Sequence, residues 1–235
     1  MKTRTGTLAV LATALACAPA QAAPTKVNVR VEGATHTLFE GSVVTDAHEV
    51  TGDDGTRHKC DGTNGGANAV PGPTATGALD TAAQRANLTL DAHWDQSFQD
   101  FIVNRIGPDA ATSSKFWGVA VNGQELQVGG CQFEVHRRDQ VLWAYDMFSK
   151  KHLLVLSGPH RARTRKTFRV RVVDGQDGKP VAHARVAGRR TNRRGIARLR
   201  FRKPGVKRLK ARRHDSVRSN QLRVRVVRAR AAFTG

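Results

Sequence analysis

Four stretches in the last third of the chain set a basic residue against an apolar one at every second position: "TFRVRVV" from Thr167, "IARLRF" from Ile196, "KRLKARR" from Lys207 and "LRVRV" from Leu222. Successive side chains on a strand point to opposite faces, so this period of two predicts strands with one apolar and one basic side. Phe168, Val170, Val172, Ala197, Leu199, Phe201, Leu209, Ala211, Leu222, Val224 and Val226 are expected to face a core. Arg169, Arg171, Arg198, Arg200, Arg202, Arg208, Lys210, Arg212, Arg223 and Arg225 are expected on the outward face. The turn-rich connections "GQDGKP", "RTNRRG", "RKPG" and "RHDSVRS" cut the segment into about six short strands, which predicts a small all-β sandwich.

Charge is divided as sharply as pattern. Up to Leu156 the chain has 13 Lys and Arg against 16 Asp and Glu, and from Ser157 onward 26 against 3, which sums to the total of 39 and 19. A surface that needs only solvation mixes signs. The basic face is therefore either a binding surface for a polyanion, such as an anionic cell-surface polymer, or a product of compositional preference for arginine. Specific nucleic-acid recognition is not expected, because residues 152–228 hold no Trp or Tyr on which bases could stack and predict no helix to enter a groove.

The chain opens with Lys2 and Arg4, an apolar run from Leu8 to Ala18 and the small-residue site Ala20-Gln21-Ala22, which predicts a secretory signal over residues 1–22. Lipidation at Cys17 is the weaker reading, since Ala14 stands where a lipobox prefers leucine. No segment approaches the roughly 20 apolar residues of a transmembrane span. Cleavage leaves Cys60 and Cys131, and an even pair in an oxidising compartment predicts a disulfide. Closing so long a loop is worth about 4 kcal/mol in the chain-entropy treatment. The protein is expected to be secreted or extracellular, and associated with the cell surface if the basic face binds there.

Residues 24–148 read as a mixed sheet with one short helix. Val27, Val29 and Val31 alternate with polar residues as a half-wet strand, and "THTLFEGSVVT" supplies a second. The stretch from Gly52 to Pro73 is dense in Gly, Asp, Asn and Pro and reads as a long loop. Leu79, Ala82, Ala83 and Ala86 fall at helical spacing behind a cap at Thr76. Phe98, Phe101, Ile102 and Ile106 suit a turn leading into a strand, Asn122-Gly123 suits a tight hairpin turn, and "CQFEV" and "QVLWAYD" read as two further strands.

The segment "FWGVAVNGQELQVGGCQFEVHRRDQVLWAYD", supported by "VEGATHTLFEGSV" and "FQDFIVNRIG", resembles the DUF4430 family, a domain related to the C-terminal domain of transcobalamin and intrinsic factor. The resemblance implies an α+β, β-grasp-like fold for residues 24–148. It departs at one turn, where Arg138-Asp139 replaces the family's usual Gly-Asp. "VVDGQDGKPVAHARV", "TNRRGIARLRF" and "VRSNQLRVRV" resemble a bacterial Ig-like domain over residues 152–228, with Gly195 at a turn that needs positive φ. In the cobalamin carriers the first of these domains covers one face of the corrinoid. The resemblance thus makes cobalamin a candidate ligand and Phe116, Trp117, Asn122, Trp143 and Tyr145 candidate ligand-binding residues, although Trp117 and Trp143 equally suit the core of a small sheet. The helical barrel that completes the carriers' site has no counterpart in this chain.

Catalytic patterns are missing from the sequence: there is no nucleophile elbow, zinc-protease motif, P-loop or dinucleotide fingerprint. The densest polar set, Asp46, His48, Asp53, Asp54 and His58, reads as a solvated loop rather than a metal site, and no cofactor is expected. The expected function is that of a secreted, non-enzymatic binding protein, with ligand or partner held by the first module and the basic module as spacer or adhesion surface. A purely structural cell-envelope protein that binds wall polymers or other proteins is the alternative.

Overall fold

A computed structural model describes residues 23–229. The expected signal over residues 1–22, with Cys17 inside it, lies outside the described residues. The described chain is mainly β, with one α-helix and several sheets.

Strand β1 (Thr25–Glu32) buries Val27, Val29 and Val31, and β2 (Thr37–Thr45) returns antiparallel along it. A hairpin of β3 (His48–Thr51) and β4 (Arg57–Cys60) occupies the start of the stretch that reads as loop. Only Val50 and Cys60 of this hairpin are buried, too few apolar positions to write a period into the sequence. Cys60 is joined to Cys131 in the expected disulfide.

Helix α1 (Ala75–Ala86) buries Leu79, Ala82 and Ala83 as their spacing predicts, but its cap is Thr74 rather than Thr76. The Thr74 hydroxyl accepts the Gly77 amide at 3.0 Å. Thr76 sits inside the first turn, buried, with its hydroxyl unpartnered. Strands β5 (Leu90–Asp95) and β6 (Asp100–Ile106) form a hairpin where a turn and a single strand were expected, and β7 (Asp109–Ala110) joins its edge.

The Asn122-Gly123 turn joins β8 (Trp117–Val121) to β9 (Gln124–Glu125) as predicted, with φ of 52° and 84° at its two central residues. "CQFEV" is not a strand. Its backbone instead ties down the helix entry: Phe133 O accepts the Ala75 amide and the Val135 amide donates to Pro73 O, leaving a single isolated bridge between Thr74 and Glu134. Arg138 takes φ 78° in the Arg138-Asp139 turn, and Asp139 accepts the His136 amide at 2.7 Å to hold it. Strand β10 (Gln140–Tyr145) then completes a mixed sheet of order β2-β1-β10-β8-β9, parallel to β1 and antiparallel to β8.

The basic segment forms three sheets. The first has the order β16 (Ile196–Leu199), β13 (Phe168–Asp174), β11 (His152–Ser157), β19 (Ser216–Val217), and the second β12 (Arg161–Arg163), β20 (Leu222–Val227), β17 (Gly205–Leu209). The third is β15 (Arg189–Arg190), β14 (Arg185–Val186), β18 (Ala211–Arg212). Their apolar sides share one core, in which Val170, Val172 and Leu199 meet Leu209, Leu222 and Val224. Gly158 marks the approach: a Cβ there would stand 2.9 Å from Val170 and 3.1 Å from Leu222, one residue from each of the first two sheets.

A separate apolar cluster lies between the mixed sheet and α1, and includes Val27, Val31, Leu79, Ile106 and Trp143. A third, small cluster of Ala120, Leu142, Ala144, Met147, Leu153 and Val217 joins the back of that sheet to β11 and β19. Strand β10 is therefore buried on both faces, which is why "VLWA" is a continuous apolar run rather than an alternation.

The polar side of β1 is exposed at Lys26 and partly covered at Asn28 and Arg30, as a half-wet strand should be, and only Glu32 at its end is buried in the seam. Glu32 is 1% exposed and binds Lys210 Nζ at 2.6 Å and Arg218 Nε at 2.8 Å, while Thr37 donates to both its carboxylate oxygens. Lys210 also pairs with Glu40 at 2.8 Å, and Arg218 donates to the carbonyls of Gly33 and His36. Each charge thus has several partners, the condition under which a buried ion cluster is tolerated.

Candidate functional site

Phe116, Trp117 and Trp143 come together in a cleft of about 420 Å³ on the edge of the mixed sheet facing β6. Trp117 and Trp143 form its floor, and both are core residues, 6% and 4% exposed. Their indole N–H groups are already used, Trp117 donating to Asp109 O at 3.1 Å and Trp143 to Ala75 O at 3.3 Å. What they offer a ligand is ring surface, with no free polar group.

The rim is apolar and open. Ile102 and Val128 are each 48% exposed, Phe116 49% and Phe148 60%, and all four line this one cleft. Large apolar side chains gathered half-exposed around a concavity mark a binding surface more strongly than scattered ones do. Glycines shape it: a Cβ at Gly118 would meet Met147 at 2.6 Å and Phe148 at 3.1 Å, so its absence lets Phe148 lie over β8. At Gly129 and Gly130 a Cβ would overlap the Asp100 carboxylate and the Thr76 hydroxyl, so this Gly-Gly pair lets the chain pass close over β6 and the start of α1 on its way to Cys131. Asn104, Thr112 and Glu125 are the polar side chains at the margin.

The other two candidate residues lie elsewhere. Asn122 is at the far end of β8 from Trp117, where its amide donates to Asp139 at 2.8 Å and its oxygen accepts the Gln140 amide at 3.0 Å. The hairpin tip there packs on the second half, with Gly123 against Gly175 and Gln124 donating to Gln176 O at 2.7 Å. Asn122 borders a seam cleft of about 680 Å³ with Arg30, Leu142, Leu153 and Gln221. Tyr145 packs edge-on to Trp117, ring centroids 5.5 Å apart, and borders a third cleft of about 660 Å³ on the basic side of the seam. Ile102, Val128 and Phe148 were not legible as site residues, since a half-exposed apolar residue in a turn or strand has no signature of its own in sequence.

The arginines do not make one face. Arg169, Arg171 and Arg198 project from the sheet of β13 and β16, with Arg200 and Arg202 just beyond its end, whereas Arg208, Arg223 and Arg225 project from the sheet of β17 and β20. Because both sheets turn their apolar sides to one core, these groups cover opposite surfaces. Arg212 belongs to the third sheet. Lys210 is not on an outward face at all: it follows β17 where the strand breaks, and its ammonium is drawn into the Glu32 and Glu40 cluster. The outward arginines oppose one another, Arg169 across from Arg198 and Arg208 across from Arg223. Like charges placed so are unfavourable, and nothing in the core requires them.

In the polar set near β3 and β4, His48 lies between Asp46 at 3.3 Å and Asp80 at 3.2 Å, and its hydrogen bond to Asp80 raises its pKa. His58 stacks on Trp94 at 4.4 Å, and His93 pairs with Asp53 at 3.4 Å. Among the described residues no three His, Cys, Asp or Glu side chains converge as metal ligands would. No described helix is long and apolar enough to cross a membrane. No family model matches the chain, and no curated protein matches it in sequence.

Proposed function

We propose that the protein is an exported, non-enzymatic binding protein whose ligand lies in the apolar cleft over Trp117 and Trp143. In this reading residues 24–148 are a β-grasp-like module of the DUF4430 type, and residues 152–228 an Ig-like sandwich whose opposed arginines retain the protein at an anionic surface. The observation that carries it is the ring of Ile102, Phe116, Val128 and Phe148, held half-exposed around one concavity. A cleft of about 420 Å³ is at the small end of ligand pockets, so it suits one face or edge of a flat apolar ligand, a corrinoid among them, rather than full enclosure. The disulfide fits an oxidising compartment.

The test is titration of the full chain with cobalamin and with a flat apolar dye, followed by tryptophan fluorescence. Saturable quenching is expected, weakened at least tenfold by Phe116→Ala with Phe148→Ala, substitutions at exposed positions that leave the core intact. Binding unchanged in that pair, or no binding to either probe, removes the cleft from consideration. The structural-envelope reading is favoured by the like-charge arginine pairs. It expects retention on anionic polymer that about 0.5 M salt releases, because exposed charges are screened over a few ångströms there.

A further inference from the structure

Arg185 on β14 stands directly opposite Arg190 on β15 and directly opposite Arg212 on β18. Residues opposite one another in antiparallel strands point to the same side, so three guanidinium groups form a row across three strands spaced about 4.8 Å apart. All three arginines are exposed, while Val186 and Ala211 on the reverse side are fully buried. Nearby carboxylates are committed elsewhere: Asp215 to Arg213 at 3.0 Å, Asp146 to Lys150 at 2.7 Å, and Glu32 to Lys210 and Arg218. Among the described residues none pairs with the row.

The row is one wall of the cleft of about 660 Å³ that Tyr145 borders, and residues 33–35 of the first half form another part of it. His183 and His214 add two imidazoles to the lining. Its mounting is rigid. β14 and β15 are joined by a two-residue turn, Ala187 and Gly188, with φ of 46° and 78°. Thr191 staples the base, donating to Val181 O at 2.7 Å and accepting the Ala184 amide at 2.9 Å, and His183 is held beside it at φ 63°.

We propose that this cleft binds a short linear polyanion of the condensed-phosphate class, its phosphoryl oxygens shared among the row of Arg190, Arg185 and Arg212. A row two strand spacings long, about 10 Å, exceeds the reach of a single oxyanion, and guanidinium forks match phosphoryl oxygens in pairs. The site goes beyond surface retention, which needs only summed charge and no register.

The test is calorimetric titration of the full chain with tripolyphosphate, pyrophosphate and orthophosphate at 0.15 M salt. One-to-one saturable binding is expected, strongest for tripolyphosphate and weakest for orthophosphate. Arg185→Gln relieves like-charge repulsion, so it should fold with an unchanged or raised melting temperature and yet bind tripolyphosphate at least tenfold more weakly. Arg169→Gln removes the same charge from another sheet and should change affinity less than twofold. Equal losses in the two variants, or non-saturable uptake, overturn the site and leave only general attraction. Retention on an anionic resin, measured on the same variants, reports on the surface reading separately. Arg185-dependent competition by a phosphodiester polymer assigns the ligand to a polymer, and its absence assigns it to a free condensed phosphate.

Discussion

Asp100, at the start of β6, is 4% exposed and accepts the Phe101 amide at 2.8 Å and the Cys131 amide at 2.9 Å. Loss of solvent outweighs those bonds and pushes its carboxyl up to about 6. The folded-state value lies above that of the unfolded chain, so the contribution to stability is fully present below about pH 4 and is lost as pH rises through about 6. The loss is about 3 kcal/mol for a shift of this size. Urea unfolding from pH 4 to pH 8 should show it, and Asp100→Asn should remove that part of the pH dependence; a profile unchanged by the substitution would show that Asp100 is not its source. Nothing local in the sequence separates Asp100 from Asp91 or Asp95. Its burial comes from Gly129, about thirty residues along the chain, which passes over it without a side chain.

At the scale of elements, the readings that succeeded rest on short-range physics. The Asn122-Gly123 turn takes the positive φ pair those residues allow, α1 buries the face its apolar spacing marks, and the strands at 168–174 and 222–227 follow their alternation. The readings that failed were decided by contacts between elements. "CQFEV" gives its backbone groups to the helix entry, and Thr76 yields the cap to Thr74 because it packs beneath Gly130. Gly130→Ala should therefore cost about 1–3 kcal/mol, since its Cβ would overlap Thr76 Oγ1. Adding Thr76→Ala should recover part of this, because it removes the overlapped atom, itself unpartnered. Additive losses in denaturant unfolding would place the strain elsewhere.

The whole molecule is joined through the small cluster of Leu142, Met147, Leu153 and Val217 and through the ions around Glu32. Trp94, Trp117 and Trp143 all lie within residues 24–148, so tryptophan fluorescence reports on that segment while far-ultraviolet circular dichroism reports on the basic segment as well. The two signals should coincide in one unfolding transition. Glu32→Ala leaves Lys210 and Arg218 partly buried without their shared carboxylate, and should destabilise by about 3–5 kcal/mol. Separate transitions in the unsubstituted chain would show that the seam does not couple the halves.

Alternation, turn residues and the cysteine pair determined by themselves that the basic segment is strand-rich with arginines on its outward sides, that Asn122-Gly123 is a hairpin tip, and that Cys60 meets Cys131. Those features depend on a few neighbouring residues or on the one cysteine pair among the described residues. Only the tertiary structure decided that Glu32 is buried and Arg30 partly so though they read as wet, that Lys210 is an ion-cluster residue, that the arginines cover three sheets, and that Trp117 shares a cleft with Phe148 but not with Asn122. The period of a strand states which residues share a side. What covers that side depends on segments up to about 190 residues away, brought there by packing that no local pattern encodes.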